Sequence, residues 1–306
     1  MSSPVFEIAI LGRAVWNLHS LNNEGTVGNV TEPRTVILAD GTKSDGISGE
    51  MLKRVHAQNV WLLAADKSVF CTPCRTLRPQ RADINEELGG KNASAADILD
   101  AALKACALCD LHGFLRTKEA IPRSSTVEFG WAVAVRDGFH RDVHVHARHE
   151  VEGRVAEQAD TEAVSAQMVY HRPTRSGVYA IVSVFAPWRI ALNEITYRYA
   201  PGVDRQARYR LALEAYKATF ARTEGAMTST RLPHLEEFQG AVAVSTRNFP
   251  VPAPSPLNRT YLDTLEKMRQ VTGGLEVMRF SSLDGLFRIL DELRERPLFT
   301  LSASEG

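Results

Sequence analysis

The sequence lacks a long hydrophobic run. No stretch approaches the roughly twenty consecutive apolar residues that a membrane-spanning helix needs. The first residues also lack a basic segment followed by an apolar one and a small-residue cleavage site, which is the pattern of a secretory leader. We therefore expect a cytoplasmic protein that has no membrane partner.

A net charge is also missing. Lys and Arg total 36, Asp and Glu total 36, and the formal net charge is zero. This balance argues against a uniformly basic nucleic-acid-binding protein, although a neutral total can conceal a basic face compensated elsewhere. With 306 residues, of which 44% are hydrophobic, the chain can bury a large core as one elaborate domain or two ordinary ones. Composition alone leaves the partner open.

Common catalytic motifs are absent as well. The stretch "DGISGE" resembles a nucleophile elbow around Ser48, but that pattern requires glycine where Glu50 stands. There is no Walker A loop and no His-Glu-x-x-His motif. The zinc-deaminase signature also fails, because Leu77 occupies the place of its second cysteine. We expect a protein that is not an enzyme.

Cysteine is scarce, and all of it lies in two Cys-x-x-Cys pairs, Cys71 with Cys74 and Cys106 with Cys109. Four thiolates match the ligand set of structural zinc, which leaves no open position for water or substrate. The gap in sequence between the two pairs is longer than in compact zinc ribbons, but a helix predicted before Cys106 could bring the second pair next to the first. Two disulfides are the alternative and are disfavoured in the cytoplasm, while a redox pair would need only one motif. His112 could replace one cysteine ligand.

Apolar periodicity predicts an α+β protein. Alternating or continuous apolar runs predict strands, and helical spacing predicts helices. The predicted strands cover residues 5–11, 127–135, 178–186 and 240–246, and the predicted helices cover residues 48–63 and 205–223. The order strand, helix, strand, strand, helix, strand is that of a ferredoxin-like unit, which also underlies the RNA-recognition module. A proline-rich stretch and two more helical patterns follow.

Two segments do not fit that scaffold. Residues 64–121 contain every cysteine, and residues 139–177 are polar and contain five of the nine histidines. In the second segment His144 and His146 would share one face of a strand and could bind a second metal with His140 or His149. The alternative is a solvated strand of a polar hairpin, whose basic side chains would suit a phosphate backbone.

A glycine- and asparagine-rich segment, residues 17–47, is predicted to be a long loop between the first strand and the first helix. Small residues permit close backbone approach, and the helix start at Ser48 and Gly49 offers free N–H groups to a phosphate. An ordinary surface loop with a solvated helix face is the alternative. The candidate phosphate-binding residues are Asn22, Gly28, Asn29, Arg34, Ser48, Gly49, Lys53 and Arg54.

The same residues carry a family resemblance. The stretch "LHSLNNEGTVGN", then Arg34, then "ISGEMLKRVH" resembles the N-terminal signature of the DevR-type backbone subunit of CRISPR Cascade complexes, a branch of the repeat-associated mysterious protein superfamily. That family has a "SLN…E..GN" loop before an "SG.M.K..H" helix. The stretch "SGVYAIVSV", residues 176–184, is similar to a later family strand. The resemblance is specific within residues 1–60 and weaker beyond them.

The resemblance implies an RNA-recognition-like palm, a fingers insertion and a thumb hairpin. It implies copies stacked head to tail along a CRISPR RNA, which stays free to pair with target DNA, together with other Cascade subunits. The implied thumb contacts are Met168 and Tyr170, which could equally form the minor core of a hairpin. The implied divisions are residues 1–63, palm with its RNA-binding loop and helix; 64–121, zinc-binding fingers; 122–138, a palm strand; 139–177, thumb; and 178–306, the rest of the palm with the C-terminal helices.

A guide-dependent metal ribonuclease that cuts target RNA is the alternative function. The cleaving relatives resembled here place an aspartate in the loop after the first strand. Between Leu11 and Val30 this chain has no aspartate, and its only acid is Glu24. Asp40 and Asp45 lie nearer the helix start, where we expect a carboxylate to cap or turn the chain. These residues favour a scaffold that does not cleave its target.

Overall fold

The protein is a mixed α+β structure built on one large, mainly antiparallel sheet, which confirms the predicted class. The computed structural model describes residues 2–88, 93–148 and 168–301. None of the helices in these ranges combines the length and the hydropathy needed to cross a membrane.

The secondary-structure elements run along the chain as follows. The strands are β1 (Glu7–His19), β2 (Asn23–Val27), β3 (Val30–Pro33), β4 (Thr35–Ile37), β5 (Lys43–Ile47), β6 (Phe114–Arg116), β7 (Ile121–Arg123), β8 (Val127–Phe129), β9 (Ala132–Arg148), β10 (Met168–Phe185), β11 (Leu192–Asn193), β12 (Arg198–Tyr199), β13 (His234–Ser245) and β14 (Leu275–Phe280). The α-helices are α1 (Gly49–Leu63), α2 (Thr72–Arg75), α3 (Ala95–Ala105), α4 (Ala107–His112), α5 (Arg205–Ala221), α6 (Tyr261–Val271) and α7 (Leu283–Arg294).

The sheet has the order β14-β13-β1-β10-β9-β5-β4, with β1 near its centre. Strand β1 pairs antiparallel with β10 on one side and with β13 on the other. Ile8 and Ile10 point into the core formed with α1, α5 and α7, whereas Ala9 and Leu11 belong to a second core beneath α6. Because both faces are covered, this part of β1 is a continuous apolar run instead of an alternating one.

Helix α1 begins where the sequence predicts. Ser48 is its N-cap, and the Ser48 hydroxyl accepts a hydrogen bond from the Met51 amide at 3.3 Å. Gly49 packs so closely on β8 that a Cβ atom there would lie 2.1 Å from the Phe129 carbonyl oxygen. Gly49 is therefore required for the packing of α1 on the sheet, and Ser48 for capping the helix.

The prediction of a loop over residues 17–47 is wrong. Strand β1 continues to His19, and the rest of the segment forms the hairpin β2–β3 and the pair β4–β5. Gly28 lies in the left-handed region, with φ of +59°, in the two-residue turn between Val27 and Val30. These strands are short and polar, so apolar periodicity could not detect them.

One further strand prediction needs correction, and one strand was missed. The single strand predicted over residues 127–135 is divided at Gly130 and Trp131 into β8 and β9, both of which pair with β10. Strand β14 was not predicted; it extends the sheet beyond β13.

The polar residues 139–148 and 168–177 are the outer halves of β9 and β10. They pair antiparallel from Phe139 opposite Gly177 to Arg148 opposite Met168. His140, His144 and His146 are exposed on this hairpin. The remainder of the segment, with His149, lies outside the described residues.

Candidate functional site

Each cysteine pair opens a short helix. Cys71 precedes α2 and Cys74 lies within it, while Cys106 precedes α4 and Cys109 lies within that helix. The Cys109 amide donates a hydrogen bond to the Cys106 sulfur at 3.3 Å. Because first-turn N–H groups favour negative charge, this arrangement suits thiolates.

The two pairs converge into one cluster. Their four sulfur atoms lie within 4.8 Å of one another, and the Cys109 sulfur is 3.8 Å from those of Cys71 and Cys74. A tetrahedral ion with metal–sulfur bonds of about 2.3 Å would hold its sulfurs about 3.8 Å apart. All four cysteines are buried free thiols, so the disulfide alternative is wrong. The cluster could hold one metal ion.

The electrostatics of the cluster also favour a cation. Contact with Cys106 is the largest cause that raises the pKa of the Cys109 thiol well above its usual range, and burial adds to it. Contact with Cys106 likewise raises the pKa of Cys74. Four crowded sulfurs cannot all ionise without a positive ion among them, and a bound metal would deprotonate them.

The histidines stand apart from this cluster. His112 Nε2 lies 3.0 Å from Nδ1 of His56, whose Nε2 bonds to the Ala212 carbonyl oxygen. Within the described ranges, the four cysteines are the only group of three or more metal-binding side chains close enough to share an ion. His112 is thus not a ligand here, and the described histidines of the hairpin form no second centre.

Asp110 anchors the cysteine-bearing segment, residues 64–121, to the rest of the protein. Its buried carboxylate accepts hydrogen bonds from Arg123 at 2.8 Å, from Arg208 of α5 at 2.7 Å and from the Ala191 amide at 3.0 Å. These bonds fix α4, and therefore Cys106 and Cys109, relative to α5 and to the backbone at Ala191. No sequence pattern predicts this contact, because its partners lie far apart in the chain.

The residues at the start of α1 make internal contacts. The Asn22 side-chain oxygen accepts a hydrogen bond from the Ser48 amide at 2.8 Å, and Ser48 and Gly49 are buried. Gly28 and Asn29 are exposed at the β2–β3 turn, where the Asn29 carbonyl accepts a hydrogen bond from a β10 amide at 2.8 Å. These hydrogen bonds give the residues structural roles. That the same residues contact RNA stays a prediction.

Of the predicted cationic residues, Lys53 and Arg54 lie on α1, and Arg34 lies between β3 and β4. Arg34 donates a hydrogen bond to Glu24, and its guanidinium lies 6.0 Å from the Trp131 ring centroid. Lys53 is half-buried and Arg54 is exposed, and neither forms an ion pair with a residue in the described ranges. Burial is the main cause that lowers the pKa of Lys53.

The predicted thumb contacts lie on β10. The Met168 backbone pairs with Arg148, but the Met168 side chain lies outside the described part of the structure. Tyr170 is half-buried, and the Arg172 guanidinium lies 5.8 Å from its ring centroid.

A buried polar network joins β1, β5 and β10, and it was not predicted from the sequence. Arg175 Nη1 donates to Asp45 Oδ1 at 2.7 Å, and the Tyr179 hydroxyl donates to Asp45 Oδ2 at 2.6 Å. His19 Nε2 lies 2.9 Å from the Tyr179 oxygen, so it donates there and leaves Nδ1 to accept from the Leu21 amide. Burial, and then the charge of Arg175, lower the pKa of His19 to about 3, so His19 stays neutral.

This network corrects the role predicted for Asp45. Its side chain is wholly buried in the ion pair, so it neither caps a helix nor faces solvent. Asp40 does turn the chain, since its carboxylate accepts a hydrogen bond from the Thr42 amide at 2.9 Å.

Comparisons with known proteins agree with one another. The family model described as "CRISPR-associated negative auto-regulator DevR/Csa2" matches residues 10–266. The "CRISPR-associated protein Cas7/Cst2/DevR" of Methanocaldococcus jannaschii is 24% identical over 300 residues, which cover 90% of this chain and 92% of that protein. A chain of a "CRISPR RNA-guided surveillance complex, pre-nicking" has a similar fold, with a TM-score of 0.59 at 12% identity over 94% of this chain and 99% of that one. A chain of another "CRISPR RNA-guided surveillance complex" gives 0.50 at 12% identity, over 94% and 97%.

The cysteine cluster predicts about one bound metal ion per chain. Cys109→Ser should lose the ion and loosen residues 64–121, because metal binding supplies folding free energy there. Elemental analysis of reduced protein that was never exposed to a chelator measures the first effect, and limited proteolysis measures the second. Ser68→Ala, in the same segment, is the control. Wild-type protein without metal would contradict the prediction.

The buried ion pair predicts a large effect of Asp45→Asn. The variant leaves the Arg175 charge buried without a counter-charge, so the free energy of unfolding should fall by about 3–5 kcal/mol. Urea unfolding measures this change, with Asp142→Asn on the exposed face of β9 as the control. A change below about 0.5 kcal/mol, as at an ordinary surface site, would contradict it.

Proposed function

Because this chain belongs to the CRISPR-associated DevR/Csa2 family, we propose that it is a backbone subunit of a CRISPR RNA-guided surveillance complex. The observation that carries the proposal is the family match over residues 10–266, a range that contains the glycine-rich segment, α1, β9 and β10. It agrees with the resemblance of residues 1–60 to the DevR-type signature. In this role the chain binds CRISPR RNA and leaves the guide bases to pair with target DNA.

The arrangement of the sheet supports a ferredoxin-like palm. Helix α1 connects β1 to β9, and α5 connects β10 to β13, so the central unit reads β-α-β-β-α-β. Its four strands stand in the order β13-β1-β10-β9. We assign the outer halves of β9 and β10 to the thumb and residues 64–121 to the fingers.

The cysteine cluster is proposed to hold zinc. Four thiolates in tetrahedral spacing are the donor set that structural zinc prefers, and they leave no open position for a reacting water. In the proposed complex the copies stack head to tail along the RNA beside other Cascade subunits. A heterologous contact of this kind does not close on itself and therefore extends into a filament.

The acids considered for the alternative ribonuclease already make other contacts. Asp45 is wholly buried against Arg175, Glu24 is paired with Arg34 at the surface, and Asp40 accepts a hydrogen bond from the Thr42 amide. Binding a catalytic metal would break a buried ion pair at Asp45 and a surface ion pair at Glu24. We therefore propose that the chain holds its target without cutting it.

The assembled complex should bind complementary DNA or RNA without degrading it, even with magnesium or manganese. Gel analysis of end-labelled targets after incubation with the complex tests this. Cleavage at regular intervals that needs the metal and disappears in Glu24→Gln would overturn the proposal in favour of the ribonuclease.

Arg34→Ala should weaken binding of every guide sequence alike. A lost contact with a single-strand phosphate reduces the slope of log affinity against log salt by about 0.7. Arg288→Ala is the matched control, because Arg288 is exposed on α7 and is paired with Asp284. A loss restricted to particular base sequences, or an unchanged slope, would count against the assignment.

A further inference from the structure

A small basic pocket lies between α1 and the polypeptide that follows Cys74. Glu50, Lys53 and Arg54 of α1 form one wall, and Arg78 and Arg81 belong to the other. The cavity has a volume of about 220 Å³, which is below the roughly 300–1,000 Å³ of sites for drug-sized ligands. Four cationic side chains and one carboxylate around so small a space suit a compact anion.

Most cations of this pocket have no ion-pair partner in the part of the chain that the structure describes. Lys53, Arg54 and Arg78 make no ion pair with any residue in the described ranges. Lys53 is half-buried: burial and then the charge of Arg81 lower its pKa, while the charge of Glu128 acts in the opposite direction. A partly buried positive charge without an ion-pair partner is unfavourable, so an anion in the pocket would be stabilised.

The second wall is held in a strained conformation. Leu77 and Arg81 have φ of +54° and +51°, although neither is glycine. Such residues persist only where the surroundings fix them, and they concentrate at functional sites. Arg81 Nη1 donates hydrogen bonds to the carbonyl oxygens of His112 at 2.9 Å and Gly113 at 2.5 Å. These bonds orient the guanidinium but leave its charge uncompensated.

The cysteine cluster forms part of the same wall. Cys74 and Leu108, the neighbour of Cys109, both line the pocket. The Leu77 amide bonds to the Cys74 carbonyl oxygen, and the Arg78 amide bonds to the Pro73 carbonyl oxygen, both at 3.1 Å. A metal that fixes the two cysteine pairs therefore also fixes the backbone from which Arg78 and Arg81 extend.

We propose that this pocket binds a phosphate group of the RNA backbone and that the metal cluster controls its affinity. Arg78 and Arg81 complete a site that Lys53 and Arg54 begin, so the cysteine-bearing segment contributes directly to RNA binding. The identity of the ligand as RNA rests on the proposed function. The phosphate chemistry of the pocket rests on the geometry alone.

The test measures the affinity of the full-length, metal-loaded protein for labelled single-stranded RNA by fluorescence anisotropy over a salt series. Arg78→Ala should weaken binding and reduce the salt slope by about 0.7, as one lost phosphate contact does. Arg288→Ala removes the same charge from α7, which does not line the pocket, and should leave both quantities unchanged. Equal effects of the two variants would mean that only net charge matters and would overturn the proposal.

The dependence on metal has its own comparison. In a Cys74→Ser background, Arg78→Ala should cause no further loss, because its wall is already displaced. Removing the metal from wild-type protein with a chelator should lower RNA affinity to the level of the variant, and returning zinc should restore it. An Arg78→Ala effect of the same size in both backgrounds would refute control by the metal.

A separate measurement distinguishes failure of the pocket from failure of the proposed function. If wild-type protein binds no RNA, the proposed function is wrong. Calorimetry with inorganic pyrophosphate then decides the pocket. Binding to wild-type protein but not to Arg78→Ala would uphold a phosphate site, and no binding to wild-type protein would end the proposal.

Discussion

The buried ion pair between Arg175 and Asp45 is the contact on which the candidate RNA-binding surface depends. Arg175 belongs to β10 at the base of the hairpin, and Asp45 belongs to β5 just before α1. Arg175 also donates to the Asn22 carbonyl oxygen at 2.8 Å, and the Asn22 side chain accepts from the Ser48 amide. One guanidinium therefore fixes the hairpin base, the glycine-rich segment and the start of α1 relative to one another.

Such a pair contributes little net free energy to folding, since removing two charges from water costs several kcal/mol that their attraction only partly offsets. Its main effect is to favour one arrangement of the hairpin base, the glycine-rich segment and α1. Two-stranded ribbons such as β2–β3 are marginal alone, and polar strands slip easily in register. An arginine that must meet one carboxylate and one carbonyl oxygen selects a single register. Asp110 does the same for the cysteine-bearing segment through Arg123 and Arg208.

The elements that the sequence predicts well are those with strong local signals. Helix α1 has the predicted N-cap, Ser48, because capping acts within a few residues. The Cys-x-x-Cys spacing is also local, and it correctly predicts that the two pairs form one cluster, because four thiolates are needed to complete a metal site. The elements that it misses depend on distant partners. Strand β3 is short and polar; it pairs with β2, and Val30 also pairs with His171 of the distant strand β10. Asp45 looks like a turn residue until Arg175, far along the chain, is placed against it.

The zero net charge of the chain is compatible with a locally cationic surface, because many of its charges form ion pairs. Many exposed arginines are neutralised locally, as Arg269 is by Glu266 and Arg288 by Asp284. Within the described ranges, the pocket cations Lys53 and Arg78 have no such partner. The field that a nucleic acid meets depends on where charges without local partners lie as well as on the total charge, because paired charges largely cancel beyond a Debye length. A chain with no net charge can thus keep a local group of cations for an anionic partner, and here such a group borders Cys74 of the cysteine cluster.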